Sequence, residues 1–485
     1  MLVETPRFRY TVLILNCLLT FGSYYCFDMP SNLKDQLKDQ IISKFTDSPD
    51  TYYQYFYLVY SWTNMIMSLC AGLMVDKLGK EKSMYLFVFF CLVGSAVFSL
   101  GAGLTSLDPK LRYGILFFGR FVFGLGGGPI TIVQNVFTAT HFTGHELAMA
   151  FGCTLTVSRV GSVINFSLTP ALYKAINKAM GGTELYPNEY ALSLTLAVGS
   201  TLVLVSVCSA IFLSRLDNRA MANKEGPYKE KAGAQVDLFA KPISKKINLS
   251  DAKEFPALFW LLAITIALFY SVIFPFMANA PTFLEQEKFG LCDSYDKDGK
   301  GTDCNTGWRV SCVYGVSMCV SVALGAFVDW YGRRVQIALI GTGATIPTFY
   351  LLAKTSVDPV YSMILLGISY SVCASALWPS VQLLVDLKIS GTANGVATSV
   401  QMLGIGIVNI IVGYLGDKST YESEQFFFLG LGGASFIVVL MMLWFDTDGK
   451  MYKGKRDARK KDDGDGDGDM LEGLLDGSIQ GKDLP

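Results

Sequence analysis

The amino-acid sequence predicts an all-α membrane protein with twelve transmembrane helices in two pseudo-symmetric six-helix halves. Three observations carry that prediction. The 485 residues are 51% hydrophobic and only 17% charged, with a mean hydropathy of +0.38; soluble domains carry about a quarter charged residues. Long apolar runs recur along the chain, each near the roughly 20 residues a bilayer core requires. One charged pattern occurs twice: Gly72-Leu-Met-Val-Asp76-Lys77-Leu-Gly79-Lys80 and Gly325-Ala-Phe-Val-Asp329-Trp-Tyr-Gly332-Arg333-Arg334. Glycine, aspartate, glycine and cation fall at the same offsets behind the second apolar run of each half.

In chain order the spans are expected at 8–27, 52–76, 83–105, 113–137, 147–172 and 190–214, then at 256–277, 308–330, 335–354, 360–385, 391–415 and 425–445. Lipid admits only helices or closed barrels, and runs of this length fit helices. The chain therefore divides into an N-terminal half (1–214), a polar cytoplasmic linker (215–255), a C-terminal half (256–446) and a tail (447–485). That tail, Lys-rich and then Asp/Gly-rich, cannot bury enough apolar surface to order itself. Leu474-Leu475 within it is weighed as a sorting signal and reads as plain tail. Lys and Arg favour the segments on the side of both termini by about two to one, which places the termini and the duplicated turns in the cytoplasm.

The net charge of −1 hides segregation of the cations into connections, so no nucleic-acid surface is expected. No cleavable signal pattern is present, and the apolar run Tyr10–Phe27 is expected to remain as the first span. Most of the eleven cysteines lie in apolar runs as small hydrophobes. Cys292 and Cys304 share a polar loop and are able to pair if it faces an oxidising lumen. Neither a metal nor a cofactor is expected: Ser294-x-Asp296-x-Asp298-Gly299 departs from a calcium loop at its twelfth position, Asn305. The two glycosylation sequons, at Asn165 and Asn248, fall in a span and in the cytoplasmic linker.

Arg120 and Arg159 are the charges expected well inside spans, where a cation must face a cavity or a partner. Arg159 is expected to hold a substrate carboxylate bidentately, with Arg120 in support. For each the alternative is a structural role on backbone carbonyls. Tyr24, Tyr25, Tyr60, Trp62, Gln134, Asn135, Tyr270, Tyr370, Trp378 and Gln401 supply further polar and aromatic groups within spans. Acidic residues fall at span ends: Asp28, Asp76, Asp386 and Asp417 are all expected to cap them, and Pro30 to end the first helix. His141 and His145 fall in a short loop. A proton-driven carrier needs a titratable group in the membrane, so uniport or exchange is expected, with Asp28 the nearest reserve. Pro275 and Pro379 are expected to kink the seventh and tenth spans.

In the duplicated turns Gly72 and Gly325 are expected to allow close helix approach, and Gly79 and Gly332 complete the pattern. Asp76 and Asp329 are expected to meet a helix N-terminus or a cation, while Lys77, Lys80, Arg333 and Arg334 anchor the interface. The turns would then act as gating contacts, made in one state and broken in the other.

Gly22-Ser-Tyr24-Tyr25-Cys-Phe-Asp28, Tyr60-Ser-Trp62, Gly119-Arg120-Phe-Val-Phe-Gly124, Gln134-Asn135, Arg159-Val-Gly-Ser162, Phe274-Pro-Phe276, Gly367-Ile-Ser-Tyr370-Ser371 and Ala376-Leu-Trp378-Pro379 resemble the major facilitator superfamily and, more narrowly, its lysosomal dipeptide transporter branch. The resemblance spans the membrane region of both halves. It implies alternating access, no enzymatic activity, and uniport of dipeptides or related amino-acid compounds from a lysosomal or vacuolar compartment, with the plasma membrane as the other location. It also implies a glycosylated accessory subunit or a homodimer as companion. Where the branch carries a glutamate in the fourth span this chain has Gly128, which leaves the ammonium acceptor to Gln134, Asn135 or Tyr and carbonyl dipoles. A facilitator for a sugar acid or organic acid, and a non-transporting sensor on the same fold, are the alternatives.

Overall fold

A computed structural model describes residues 6–142, 145–183, 188–224, 255–295, 301–304, 306–385, 390–446 and 451. Most of the expected linker, all of the expected tail but Met451, Asn248, Asp386, the Leu474-Leu475 pair and the middle of the calcium-like loop lie outside them.

The first half comprises α1 (Pro6–Asn32), the short α2 (Lys34–Gln40), α3 (Pro49–Leu78), α4 (Lys80–Gly103), α5 (Pro109–Gly127), α6 (Pro129–His141), α7 (His145–Ala179) and α8 (Ala191–Lys224). The second comprises α9 (Ala257–Leu284), a hairpin of β1 (Cys292–Tyr295) and β2 (Gly301–Cys304), α10 (Gly307–Tyr331), α11 (Arg334–Lys354), α12 (Val360–Leu383), α13 (Ser390–Lys418) and α14 (Tyr421–Phe445). Helices α5 and α6 together make one crossing, so each half holds six. The fourth span is the one that breaks, at Gly128 before Pro129, whereas Pro275 and Pro379 sit inside continuous helices.

Among the described residues, ten spans are long and apolar enough by length and composition alone to cross a membrane. The two long helices that fall short are α3 and α7. They carry Tyr57, Tyr60, Ser61 and Asn64, and Ser158, Arg159, Ser162 and Asn165, all buried. Polar groups at membrane depth are tolerated when they face the protein interior, and these two helices are where the halves meet: α3 packs along α13 and α7 along α10.

Close packing within the first half rests on glycine. A Cβ at Gly94 would lie 2.3 Å from the Phe123 backbone nitrogen, and one at Gly126 would lie 2.2 Å from the Phe87 carbonyl oxygen. Helices α4 and α5 thus touch backbone to backbone, as small residues permit between membrane helices.

The first span corrects two expectations. Pro30 does not end α1, which runs on to Asn32, and Asp28 is not a cap but lies a turn inside, buried. A proline removes the N–H that would bond the carbonyl four residues earlier, here Cys26. Arg120 Nη1 donates to that carbonyl at 3.3 Å and Nη2 to Phe27 at 3.2 Å, so the helix continues.

At the far end of the second half the hairpin pairs Cys292 with Cys304 across its register, and the two are disulfide-bonded. Asn165 of the first sequon is fully buried within α7.

Gly94→Val places side-chain atoms where the α5 backbone runs. The expected outcome is loss of the monodisperse peak in fluorescence-detected gel filtration, because overpacking a close helix contact costs about 1–3 kcal/mol or more; Gly114→Val, at a position with nothing within 4 Å of its Cβ, is expected to behave as wild type.

Candidate functional site

Between the two halves, at mid-height, Arg159 reaches from α7 into the second half. It is 7% exposed. Its Nη1 donates to the Ser317 carbonyl at 3.3 Å and to Ser321 Oγ, and its guanidinium lies 4.8 Å from the Tyr370 ring centre. No carboxylate pairs with it among the described residues. Tyr370 in turn packs against Tyr270, Phe274 and Tyr314, and Trp378 Nε1 donates to Tyr270 Oη at 2.8 Å. These rings come from α9, α10 and α12, so the second half presents an aromatic wall to Arg159.

Asp28 stands on the other side of the seam. It is 4% exposed, and its Oδ2 has no hydrogen-bond partner. The Ser162 and Tyr314 hydroxyls stand near enough to turn toward its carboxylate and Arg120 lies close by, although Ser162 Oγ makes no hydrogen bond of full geometry. Tyr24 lies close enough to both Asp28 and Arg159 to sense each charge. In the sequence Asp28 is masked as a site residue by Pro30, which looks like a helix terminator. Ser317, Ser321 and Tyr314 carry no sequence signal beyond their shared α10 face, which the fold sets opposite Arg159.

Arg120 is enclosed by Phe27, Tyr57, Tyr60, Phe98 and Phe123, with its guanidinium 5.1–5.8 Å from each ring centre. Cation–π attraction offsets part of the cost of burying it, and its hydrogen bonds go to α1 backbone. It therefore stands where the structural alternative placed it. Tyr60 belongs to this cage. Tyr25 turns into the first half and shares a hydrogen bond with Thr169 at 2.8 Å. Gln134 donates to the Asn16 carbonyl at 2.7 Å and to Thr20 Oγ1 at 3.0 Å, also within the first half, and its neighbour Asn135 is exposed. Trp62 is 40% exposed on the α3–α13 seam, against Gly406. Gln401 is buried on α13. Of the expected set, the structure gathers Arg159, Tyr24, Tyr270, Tyr370 and Trp378 at one place.

Gly128 has a neighbour that explains it. A Cβ there would lie 1.8 Å from Asn64 Oδ1, so the α3 amide occupies the space a side chain at 128 would need.

The two ends of the molecule differ. At the hairpin end the halves are joined. Ser31 Oγ donates to the Met277 carbonyl at 2.8 Å and Tyr53 Oη to the Ala278 carbonyl at 2.9 Å. Lys34 Nζ, buried, bonds Asn279 Oδ1 and Asp50 Oδ1, each at 2.7 Å. Burial opposes the Lys34 ammonium, but Asp50 and Glu424 outweigh it and raise its pKa. Asp417 of α13 accepts from the backbone N–H groups of Asp50 and Thr51 at 2.8 and 2.9 Å. The side chain of Ser48, at the start of α3, makes no capping bond, so the N-terminus of that helix is capped by the opposite half. Asp417 is therefore a cap, of a helix other than its own.

At the other end, where the duplicated turns lie, no hydrogen bond, ion pair or ring contact joins α6 to α12 among the described residues. Gly79 and Gly332 take positive φ, +86° and +71°, and Arg333 follows at +49°. The second glycine of each copy is thus required by the backbone. A Cβ at Gly325 would meet nothing within 4 Å, which corrects the expected close approach there; Gly72 is half-buried. Lys80 pairs with Asp217 at 2.9 Å beside His141, tying α4, α8 and α6 together, and lies over Phe137; Lys77 is exposed. Arg334 N donates to the Met451 carbonyl at 3.0 Å, and Arg333 lies over Tyr331. The side chains of Asp76, Asp329 and His145 lie outside the description.

The Major Facilitator Superfamily model matches residues 12–409. Among curated proteins the chain is similar to the lysosomal dipeptide transporter MFSD1 of Homo sapiens, 32% identical over 437 residues, covering 90% of this chain and 85% of that protein. Its counterpart in Danio rerio is 32% identical over 441 residues, covering 90% and 87%. Among solved structures, the inward-open conformation of the xylose transporter XylE from E. coli superposes with a TM-score of 0.68 at 12% identity, over 90% of this chain and 96% of that one. The nucleoside transporter NupG (D323A mutant) superposes with a TM-score of 0.60 at 16% identity, over 90% and 99%.

Two outcomes are expected at the hairpin end. Asp417→Ala weakens the trans cap by about 1 kcal/mol, so labelling of a Ser31→Cys variant by a membrane-impermeant maleimide is expected to rise roughly fivefold; unchanged labelling would show that the cap does not hold this end shut. Arg309, which bonds Asp358 bidentately at 2.9 Å, holds that carboxyl below the usual carboxylate range. A lowered folded pKa stabilises above the unfolded value and is lost as pH falls through the folded one. The thermal-stability difference between wild type and Arg309→Gln, at most about 1 kcal/mol for so exposed a pair, is therefore expected to stay flat down to about pH 5 and shrink only in stronger acid.

Proposed function

The chain belongs to the Major Facilitator Superfamily, and we propose that it carries dipeptides or related amino-acid compounds across a lysosomal or vacuolar membrane by alternating access. The observation that carries this reading is Arg159: a buried guanidinium on the seam between the halves, held by a serine hydroxyl and a carbonyl and paired with no carboxylate among the described residues. A buried cation without an anion is costly, and a carboxylate ligand both neutralises it and meets its fork of donors. The aromatic wall of Tyr270, Tyr370 and Trp378 then packs the rest of the ligand. MFSD1, the relative similar over most of both chains, is named a lysosomal dipeptide transporter, and a dipeptide supplies such a carboxylate.

Transport follows from which end is joined. With the termini in the cytoplasm, the joined hairpin end faces the lumen and the turn end opens to the cytoplasm, where ligand leaves. Breaking the Ser31, Tyr53, Lys34 and Asp417 contacts while the duplicated turns, with Gly72, Asp76, Asp329 and their cations, close the other end would return the carrier to the lumen. Rocking of the repeats about a fixed central site is the general form of such a cycle. The direction is downhill by uniport. A glycosylated accessory subunit or a second copy is the companion this branch implies.

Purified protein in proteoliposomes is expected to take up neutral dipeptides equally with and without a pH gradient. Arg159→Ala is expected to abolish that uptake while surface expression stays intact. Uptake of sugar acids or organic acids without dipeptides would favour the other facilitator reading, and no flux of either would favour a sensor.

A further inference from the structure

Asp28 is the group at the seam that the carrier reading leaves without a task. It is not a cap, it makes no ion pair among the described residues, and one of its oxygens has no partner although the residue is 4% exposed. Buried polar atoms are nearly always bonded, and an unbonded one costs about as much as losing a hydrogen bond. Other unpartnered atoms lie on the same elements: Tyr57 Oη on α3, Ser162 Oγ and Asn165 Nδ2 on α7, and Ser317 Oγ on α10 beside Arg159. These atoms stand on helices that border the seam between the halves, where a polar ligand would meet them.

Arg120 is the obvious rival partner for Asp28. Its Nη1 and Nη2 donors are directed instead to the Cys26 and Phe27 carbonyls, and five aromatic rings confine it. Its charge favours the anionic carboxylate from a distance, while its position fixes the turn of α1 from which Asp28 projects.

We propose that Asp28 receives the ammonium group of the substrate while Arg159 receives its carboxylate, so that the pair selects zwitterionic peptides by the separation of their ends. This rests on the carrier reading above. Ser162, which faces Asp28, is one turn of α7 from Arg159, about 4.5 Å along the axis. Asp28 stands on α1 and Arg159 on α7. An extended dipeptide spans about 7 Å, and Tyr24 stands near both Asp28 and Arg159. The acceptor is thereby placed on the first span, and the fourth span needs none: Asn64 fills the space at Gly128.

The test compares uptake of a neutral dipeptide with a free amino terminus and of its N-acetylated form, which keeps the carboxylate, in proteoliposomes of wild type, Asp28→Asn and Asp28→Glu. Wild type is expected to prefer the free amine. Asp28→Asn is expected to lower free-amine uptake by roughly tenfold or more, the worth of a hydrogen bond to a charged group, while N-acetyl uptake is unchanged, and Asp28→Glu is expected to restore part of the preference. Equal loss of both substrates, or retained preference with only the response to a pH gradient lost, overturns the assignment. Should Asp28→Asn fail to fold, thermal shift of the wild-type protein decides: stabilisation by the free-amine dipeptide and not by its acetylated form supports it, and equal stabilisation overturns it. If wild type neither moves nor is stabilised by any dipeptide, the carrier reading falls first and this one with it.

Discussion

Inside a bilayer no water stands ready to bond a backbone carbonyl, and every proline within a span leaves one to be satisfied. Part of the arrangement of this molecule follows from what meets those carbonyls. Pro30 frees Cys26, and Arg120 supplies the bond from the same half. Pro281 frees Met277, and Ser31 supplies the bond from the opposite half. Pro170 frees Phe166, against whose carbonyl Gly307 of α10 packs so closely that a Cβ there would lie at 2.2 Å. The first of these holds a helix together, while the second and third join the halves.

That distinction separates framework from moving parts. Within the first half, α4 and α5 touch backbone to backbone, and away from the seam side chains bond across helices, as Gln134 does with Asn16 and Thr20. Between the halves they are single hydroxyl-to-carbonyl bonds, a lysine shared by an amide and a carboxylate, and a helix N-terminus capped in trans by Asp417. Each is worth on the order of 1 kcal/mol net. A set of such bonds closes one end firmly enough to populate a state and weakly enough for a ligand to reverse it. The duplicated turns at the opposite end have their backbone geometry in place, with positive φ at Gly79 and Gly332, while Gly325 faces open space.

Much of this was legible in the chain. The span pattern follows from apolar runs, and the repeated turn announces two halves because its glycines answer a backbone requirement that recurs with the fold. Arg159 stands out because a cation mid-run has few alternatives to a polar seam. Arg120 looked identical by that criterion, yet its two Nη donors end on α1 carbonyls. The difference depends on Pro30, which the sequence displays but whose consequence appears only when α5 is laid beside α1. Asp28 was misread for the same reason: a carboxylate two residues before a proline looks like a helix end until a neighbouring helix supplies the missing bond. Tyr25, Gln134 and Trp62 were chosen for residue type, and type does not say which way a helix is turned.

Hydrophobic content and periodicity are local properties, so the sequence by itself determined a twelve-span helical membrane protein, its duplication and the presence of an arginine at mid-membrane. Which end is joined, which arginine faces the seam and where the unpaired carboxylate stands depend on the rotation of each helix and on contacts between residues far apart in the chain. Those were decided only by the tertiary structure, because a buried polar group is defined by what surrounds it rather than by its neighbours in sequence.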